Sequence, residues 1–333
     1  MRVSVVMNPR AGNINLKLVE SKIREALFRC ELKFYFSDSF ERLNAFVKEE
    51  IEKQTSAFLI CGGDGTVNAT LQCMIQNQMD QQPLPPICLI SSGTANDLAQ
   101  EINITRRVDR AARLLFEGVE KKIDLIEVEA NGQKKYMLTN GGVGVPALAA
   151  SKANQLRKFL SQVSEDPEIP ELGRQAGRWA QSLVRTTGPM VYSLSLLQTI
   201  LDWNFDDWKI EVELPNQKSF TTQAPFVLVN NQPTLGKNFL TAPYTAHNDG
   251  LVNLLVIESN NRISQIERSL RVFMGNLREQ PGVKSLETPE FRIRAKGAQK
   301  KITFFGDGEV LFGNVDEVKV KCLKRSIGVM VNS

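Results

Sequence analysis

The sequence predicts a combined α/β + β class: a doubly wound α/β domain, then a β-rich, sandwich-like domain with helical insertions. Two observations carry this. Through the first 125 residues short apolar runs alternate with amphipathic segments, and strands spaced by helices imply a parallel sheet covered on both faces. From Ile123 apolar and polar residues alternate singly, as in half-buried antiparallel strands. The domains are expected at 1–125 and 126–333, with the last strand able to return to the first.

Each element follows from its local pattern. Val3–Met7, Leu32–Phe36, Ala57–Cys61 and Ile87–Ile90 are short runs with the length and apolar character of strands. Leu16–Phe28, Glu41–Glu52, Gly65–Met74 and Asn96–Glu101 lie between or after them and read as helices. In the second half Ile123–Glu129, Lys135–Asn140, Trp208–Leu214, Pro225–Val229, Gly250–Ile257, Phe291–Arg294, Lys300–Phe305 and Val318–Leu323 alternate as strands do. Helices are expected at Lys152–Ser164 and Gly173–Leu201, on either side of an acidic, proline-bearing segment, and at Ile263–Met274.

Composition excludes several functions. The chain has 333 residues, 42% hydrophobic and 23% charged, as soluble globular proteins do, and a formal net charge of +4. That charge is too mild to imply a nucleic-acid partner. The single histidine, His247, excludes multi-histidine metal sites and reads as a loop residue without a catalytic role. Five scattered cysteines without a C-x-x-C pattern suit a reducing cytosol. Neither a signal-peptide core nor an apolar run of roughly 18 residues is present. The expected location is the cytoplasm, at most peripheral at the inner membrane face.

Ligands of open α/β sheets bind at the carboxyl ends of the strands, and three strand ends here carry small polar clusters. Gly62-Gly-Asp-Gly-Thr66 follows an apolar strand and opens a helix, so its backbone amides are able to approach an anion. It is not a P-loop. A carboxylate at Asp64 repels phosphate unless a metal ion lies between them. Gly93-Thr-Ala-Asn-Asp97 repeats the pattern at the next strand end, and Asn8-Pro-Arg-Ala-Gly12 follows the first strand. Each is also readable as a plain turn. Late in the chain, Gly306-Asp-Gly-Glu309 reads by default as a two-residue hairpin. Gly142-Val-Gly144 lacks the βαβ context of a dinucleotide fingerprint.

Together with Asn140-Gly-Gly-Val-Gly144 and Ala242-Pro-(x5)-Asp249-Gly-Leu251, these segments resemble, in order and over nearly the whole chain, one family: the bacterial diacylglycerol kinase and sphingosine kinase-like lipid kinases. The resemblance implies a nucleotide-binding domain like those of phosphofructokinase and NAD kinase, a lipid-binding β-rich domain, and an active site between them. It implies ATP contacts at Asn8, Pro9, Arg10, Ala11 and Gly12, and at Gly62, Gly63, Asp64, Gly65, Thr66, Val67, Asn68 and Ala69. Gly93, Thr94, Asn96, Asp97 and, loosely, Ser37 would lie near the nucleotide. Asp64 and Asp97 would organise Mg²⁺. Asp307 or Glu309, with Asp307 slightly preferred, would be the base; in an extended strand both would face the cleft, whereas a hairpin would leave one to reach the acceptor. A second, structural Mg²⁺ would be held by Asp249 with the carbonyls of Ala246 and Leu251.

Further implied are a lipid substrate met at a membrane surface and no transmembrane segment; a homodimer stays open. The sequence departs from the family pattern at Ala69, where an acidic residue is usual, at Asn248 and Pro146, and in a longer segment over Ser151–Thr187. Two alternatives remain: a catalytically degenerate member that only binds nucleotide or lipid, and an NAD kinase, which leaves Gly93–Asp97 and the late Asp-Gly-Glu unexplained.

Overall fold

A computed structural model describes residues 1–9, 15–79, 82–92, 96–149, 151–152, 155, 198–200, 202–203, 208–215, 219–235, 239–273, 281–296 and 301–333. The expectations on Arg10, Ala11, Gly12, Gly93 and Thr94, and nearly all of the two helices expected over 152–201, lie outside these residues.

The chain opens with β1 (Arg2–Met7), α1 (Leu16–Ala26), β2 (Glu31–Phe36), α2 (Phe40–Glu52), β3 (Ala57–Gly62), α3 (Asp64–Gln76) and β4 (Ile87–Ser91). The four strands pair in parallel in the order β2-β1-β3-β4. Residues of β3 are buried throughout, as a central parallel strand covered on both faces requires. Asn15 and Ser39 cap α1 and α2, their side chains accepting from the amides of Leu18 and Arg42. Two helices follow, α4 (Asp97–Glu101) and α5 (Val108–Glu117). The sequence reading omits α5, whose N-cap position is Arg107 with no side-chain cap and whose buried face is only Ala111, Ala112 and Leu114.

From here the sheet continues into the second half of the chain. β5 (Val119–Ala130) pairs antiparallel with the last strand, Glu317–Val331, which also pairs in parallel with β4 where Val329 meets Ile87. These two long strands serve both cores. Ile123, Leu125, Ile327, Val329 and Val331 pack with the first, while Ile126, Val128, Val318 and Val320 pack with the second. The chain end thus returns to the first core.

β5 is followed by β6 (Gln133–Met137) and β7 (Asn140–Gly144). The single strand expected over Lys135–Asn140 is therefore two, broken at Leu138 and Thr139. β7 enters a six-stranded antiparallel sheet with strands Val283–Thr288, Val252–Ile257, Phe226–Asn230, Ile302–Gly306 and Glu309–Val315. Gly144 has φ +80°, and a Cβ there would lie 2.1 Å from the Pro225 carbonyl oxygen. The Gly-x-Gly pattern thus serves close strand packing. Among the described residues no helix is long and apolar enough to cross a membrane.

Because Ile327, Val329 and Val331 are core residues of the first sheet, a fragment ending at residue 128 exposes the edge of β4 and leaves β5 unpaired. We expect this fragment to show no cooperative thermal transition and to bind a hydrophobic dye, while the full chain melts cooperatively. Calorimetry of the two checks it.

Candidate active site

The site is assembled where β3 passes into α3. Gly62 ends the strand, and a Cβ on it would fall 2.4 Å from the Thr66 Cβ, so only glycine lets the first helical turn fold back so closely. Gly63 is the N-cap and offers no side-chain hydrogen bond; its carbonyl accepts from the amides of Thr66 and Val67. The N-terminus of α3 keeps its partial positive charge without a capping carboxylate or hydroxyl from Gly63. The Asn8 side chain at the end of β1 donates to Thr66 Oγ1 at 2.9 Å, tying two strand ends together. Ser37 follows the neighbouring strand β2, with its amide bonded to the Met7 carbonyl.

Asp64 is the first residue of α3 and is half-buried. Its carboxylate accepts from the backbone amides of Asn96 and Asp97, so it closes the loop after β4 onto the loop after β3. Asn96 is buried with φ +54°, the left-handed geometry that turns these amides inward. Burial, and then the charges of Asp97 and Asp307, push Asp64 up to about 7. Beside it lies a small cleft lined by Gly62, Gly63, Asp64, Ser91 and Asn96. The Ser91 hydroxyl has no partner among the described residues.

The other wall comes from the far end of the chain. Strands Ile302–Gly306 and Glu309–Val315 are joined by Asp307 and Gly308, both at positive φ (+52° and +80°), and Gly306 pairs with Glu309. This is a two-residue hairpin. The extended arrangement with both carboxylates on one face does not occur. Asp307 is 6% exposed and its oxygens are filled from four donors. Oδ1 accepts from the Thr139 amide at 2.8 Å and the Thr139 hydroxyl at 2.6 Å. Oδ2 accepts from the Leu138 amide at 3.0 Å and the Asn68 side chain at 2.8 Å. Burial raises the Asp307 carboxyl above the usual carboxylate range, and these donors oppose the rise. Glu309, one residue past the turn, is exposed, and its Oε1 lies 3.5 Å from where a Cβ on Gly65 would stand. One carboxylate anchors the hairpin and the other faces the helix N-terminus.

Several expected positions turn elsewhere. Val67 is buried in the first core and Ala69 packs against it. Asn68 is buried and points to Asp307 and to the Tyr136 carbonyl. Pro9 is exposed. The loop of Ala246, Asp249 and Leu251 is closed by hydrogen bonds: Asp249 Oδ1 accepts from the Leu251 amide at 2.8 Å. Asp124, fully buried in β5, accepts from the amides of Gly250 and Arg325, both at 2.6 Å. Among the described residues no group of three His, Cys, Asp or Glu side chains is placed to hold a metal ion. Sequence reasoning missed Asp124 and Thr139. A lone aspartate inside the apolar run Ile123–Ile126 was a signal for the first; nothing local marks the second.

A model of the diacylglycerol kinase catalytic domain matches residues 2–128, and one of the YegS C-terminal NAD kinase beta sandwich-like domain matches residues 173–330. The chain belongs to the diacylglycerol kinase-like lipid kinase family. A diacylglycerol kinase of Mycobacterium tuberculosis (strain ATCC 25618 / H37Rv) is 23% identical over 261 residues, 78% of this chain and 72% of that protein. A probable lipid kinase YegS-like of Yersinia pseudotuberculosis is 24% identical over 276 residues, 83% and 79% of the two chains. A crystal structure of a diacylglycerol kinase from Bacillus anthracis shares the fold of this chain, with a TM-score of 0.64, 15% identity, and 99% and 97% of the chains covered.

The raised Asp64 has a consequence for stability. Between about pH 4 and about pH 7 the folded chain keeps a proton that the unfolded chain has released. The contribution of this site to stability is full below that window and lost as pH climbs through 7. Asp64→Asn removes the charge, so we expect the variant to be more stable than the parent by roughly 1–2 kcal/mol at pH 8, allowing for partial solvent screening, and equal to it near pH 4. Thermal melts of both proteins across that range measure this.

Proposed function

We propose that this lipid kinase is ATP- and Mg²⁺-dependent and transfers the γ-phosphate to a hydroxyl of a diacylglycerol-like or long-chain-base-like lipid. The observation that carries the reading is the meeting of Glu309 with Gly65. An exposed carboxylate faces the N-terminus of a helix, the two groups that in-line phosphoryl transfer needs on opposite sides of the reacting phosphorus. The residues fit both ligands. Gly63 caps α3 without a side chain to compete for its first amides, and Thr66 and Ser91 offer hydroxyls. Mg²⁺ is commonly held by one or two carboxylates together with substrate phosphates, and Asp64 and Asp97 are such a pair, repelling each other without a cation.

Bound ATP and Mg²⁺ supply the transferable phosphoryl group and neutralise its charge. In the chain itself, the amides at the start of α3 orient phosphate oxygens and Asn8 holds Thr66 in register. Glu309 takes the proton of the lipid hydroxyl as its oxygen bonds to phosphorus and the bond to the ADP oxygen breaks. Asp307, with its oxygens filled by donors, holds the hairpin that aims Glu309.

Labelled ATP offered with diacylglycerol, monoacylglycerol, sphingosine, ceramide and phosphatidylglycerol in mixed micelles tests the reading. Transfer to at least one acceptor is expected. Nucleotide binding without transfer to any of them returns the degenerate alternative that Ala69 keeps alive, and transfer to NAD in place of lipid returns the other. Asp64→Asn is expected to lower turnover on the order of 10²-fold while raising stability at pH 8, because the charge it removes sits where metal and phosphate meet. Turnover of the purified variant at saturating ATP checks this.

A further inference from the structure

Along the polar edge of α3 beyond its first turn, Gln72 has no role in the reading above, and Asn68 enters it only as a donor to Asp307. Asp64 begins the helix at the phosphate turn. One turn on, Asn68 Nδ2 donates to the Tyr136 carbonyl and to Asp307 Oδ2, both at 2.8 Å. The next turn brings Gln72, whose Nε2 donates to the same Tyr136 carbonyl at 2.6 Å and whose Oε1 accepts from the Tyr136 amide at 3.3 Å. Asn68 Oδ1 accepts from Gln72 Nε2 at 3.3 Å, so the two amides brace each other. All of these groups are partly or fully buried.

Tyr136 lies in β6, which among the described residues pairs with β5 alone. The free edge of β6 presents a backbone amide and carbonyl in fixed directions, and the side chains of α3 meet them as a neighbouring strand would. A helix is stiff along its axis, rising about 1.5 Å per residue, so the turn holding Gln72 sits about 12 Å from Asp64 yet moves with it. The same helix edge touches the hairpin through Asp307. The start of α3 is therefore fixed relative to Glu309 by three side-chain contacts outside the phosphate turn.

We infer that Asn68 and Gln72 are positioning residues for phosphoryl transfer: through Tyr136 and Asp307 they set the distance between the phosphate turn and Glu309. The inference rests on the kinase reading. A displacement of about 1 Å between reacting groups is enough to cost on the order of 10²-fold in rate. Covering a sheet edge, by contrast, would stabilise the fold and leave the rate per folded molecule alone.

Full-length Gln72→Leu and Asn68→Leu, singly and together, separate these roles. Five quantities are read: thermal stability, ATP affinity by calorimetry, kcat and KM on the lipid acceptor that the wild type uses, and hydrogen exchange at the Tyr136 amide. Gln72→Leu touches neither the phosphate turn nor the hairpin. It should speed exchange at Tyr136, keep ATP affinity and lipid KM within about threefold, and lower kcat at least tenfold. The double variant should lose no more than Asn68→Leu alone, since one constraint broken twice is not broken further. Should Asn68→Leu fail to fold, Gln72→Leu decides alone. A Gln72→Leu variant with faster exchange at Tyr136 and full kcat overturns the inference, as does a kcat loss matched by equal loss of ATP affinity. A wild type that transfers phosphate to no lipid defeats the kinase reading, a failure visible before any variant is made.

Discussion

One buried carboxylate organises the joint between the two halves of this chain. Asp307 sits at a hairpin tip with positive φ, and its oxygens take hydrogen bonds from Leu138, Thr139 and Asn68. Two of the donors belong to the break between β6 and β7, and one to α3. A charge so deeply buried is costly unless its lone pairs are filled, so the three segments are held to one arrangement. Glu309 follows Asp307 by two residues, and its reach toward Gly65 is a consequence of that arrangement.

Much of this was legible in the sequence, for reasons that can be named. The parallel sheet was written in four apolar runs spaced by helices, and the turn into α3 in glycines that leave no alternative once Thr66 folds back on Gly62. Asp-Gly marked the hairpin correctly. What it could not mark was the division of labour within Asp-Gly-Glu. That depends on Leu138 and Thr139 leaving the strand ladder, which frees two amides for Asp307. Seen along the chain, Lys135–Asn140 alternates well enough to pass for one strand. The turn of Asn68 toward Tyr136 and Asp307 was equally hidden, because those partners lie 68 and 239 residues away.

Electrostatics of the site work against the fold. Asp64 lies within reach of the charges of Asp97 and Asp307, and burial adds to their repulsion of its charged form. Sequences selected for stability alone avoid such clusters, while sites that must hold metal and phosphate accept them. The backbone amides of Asn96 and Asp97 offset part of the cost at Asp64. The chain thus carries the repulsion of a charged site between two cores that share two long strands, β5 and Glu317–Val331.

The central claim is that Asp307 holds and Glu309 reacts, and paired neutral substitutions test it most directly. Glu309→Gln and Asp307→Asn keep the size of each side chain and remove only its charge. Thermal stability, ATP affinity and kcat measured together for both give the answer. The account predicts that Glu309→Gln melts like the parent, binds ATP like the parent and loses at least 10²-fold in kcat. Asp307→Asn is predicted to lower the melting temperature along with activity, because an amide in that pocket sets donor against donor. A stable, inactive Asp307→Asn beside a fully active Glu309→Gln would contradict it.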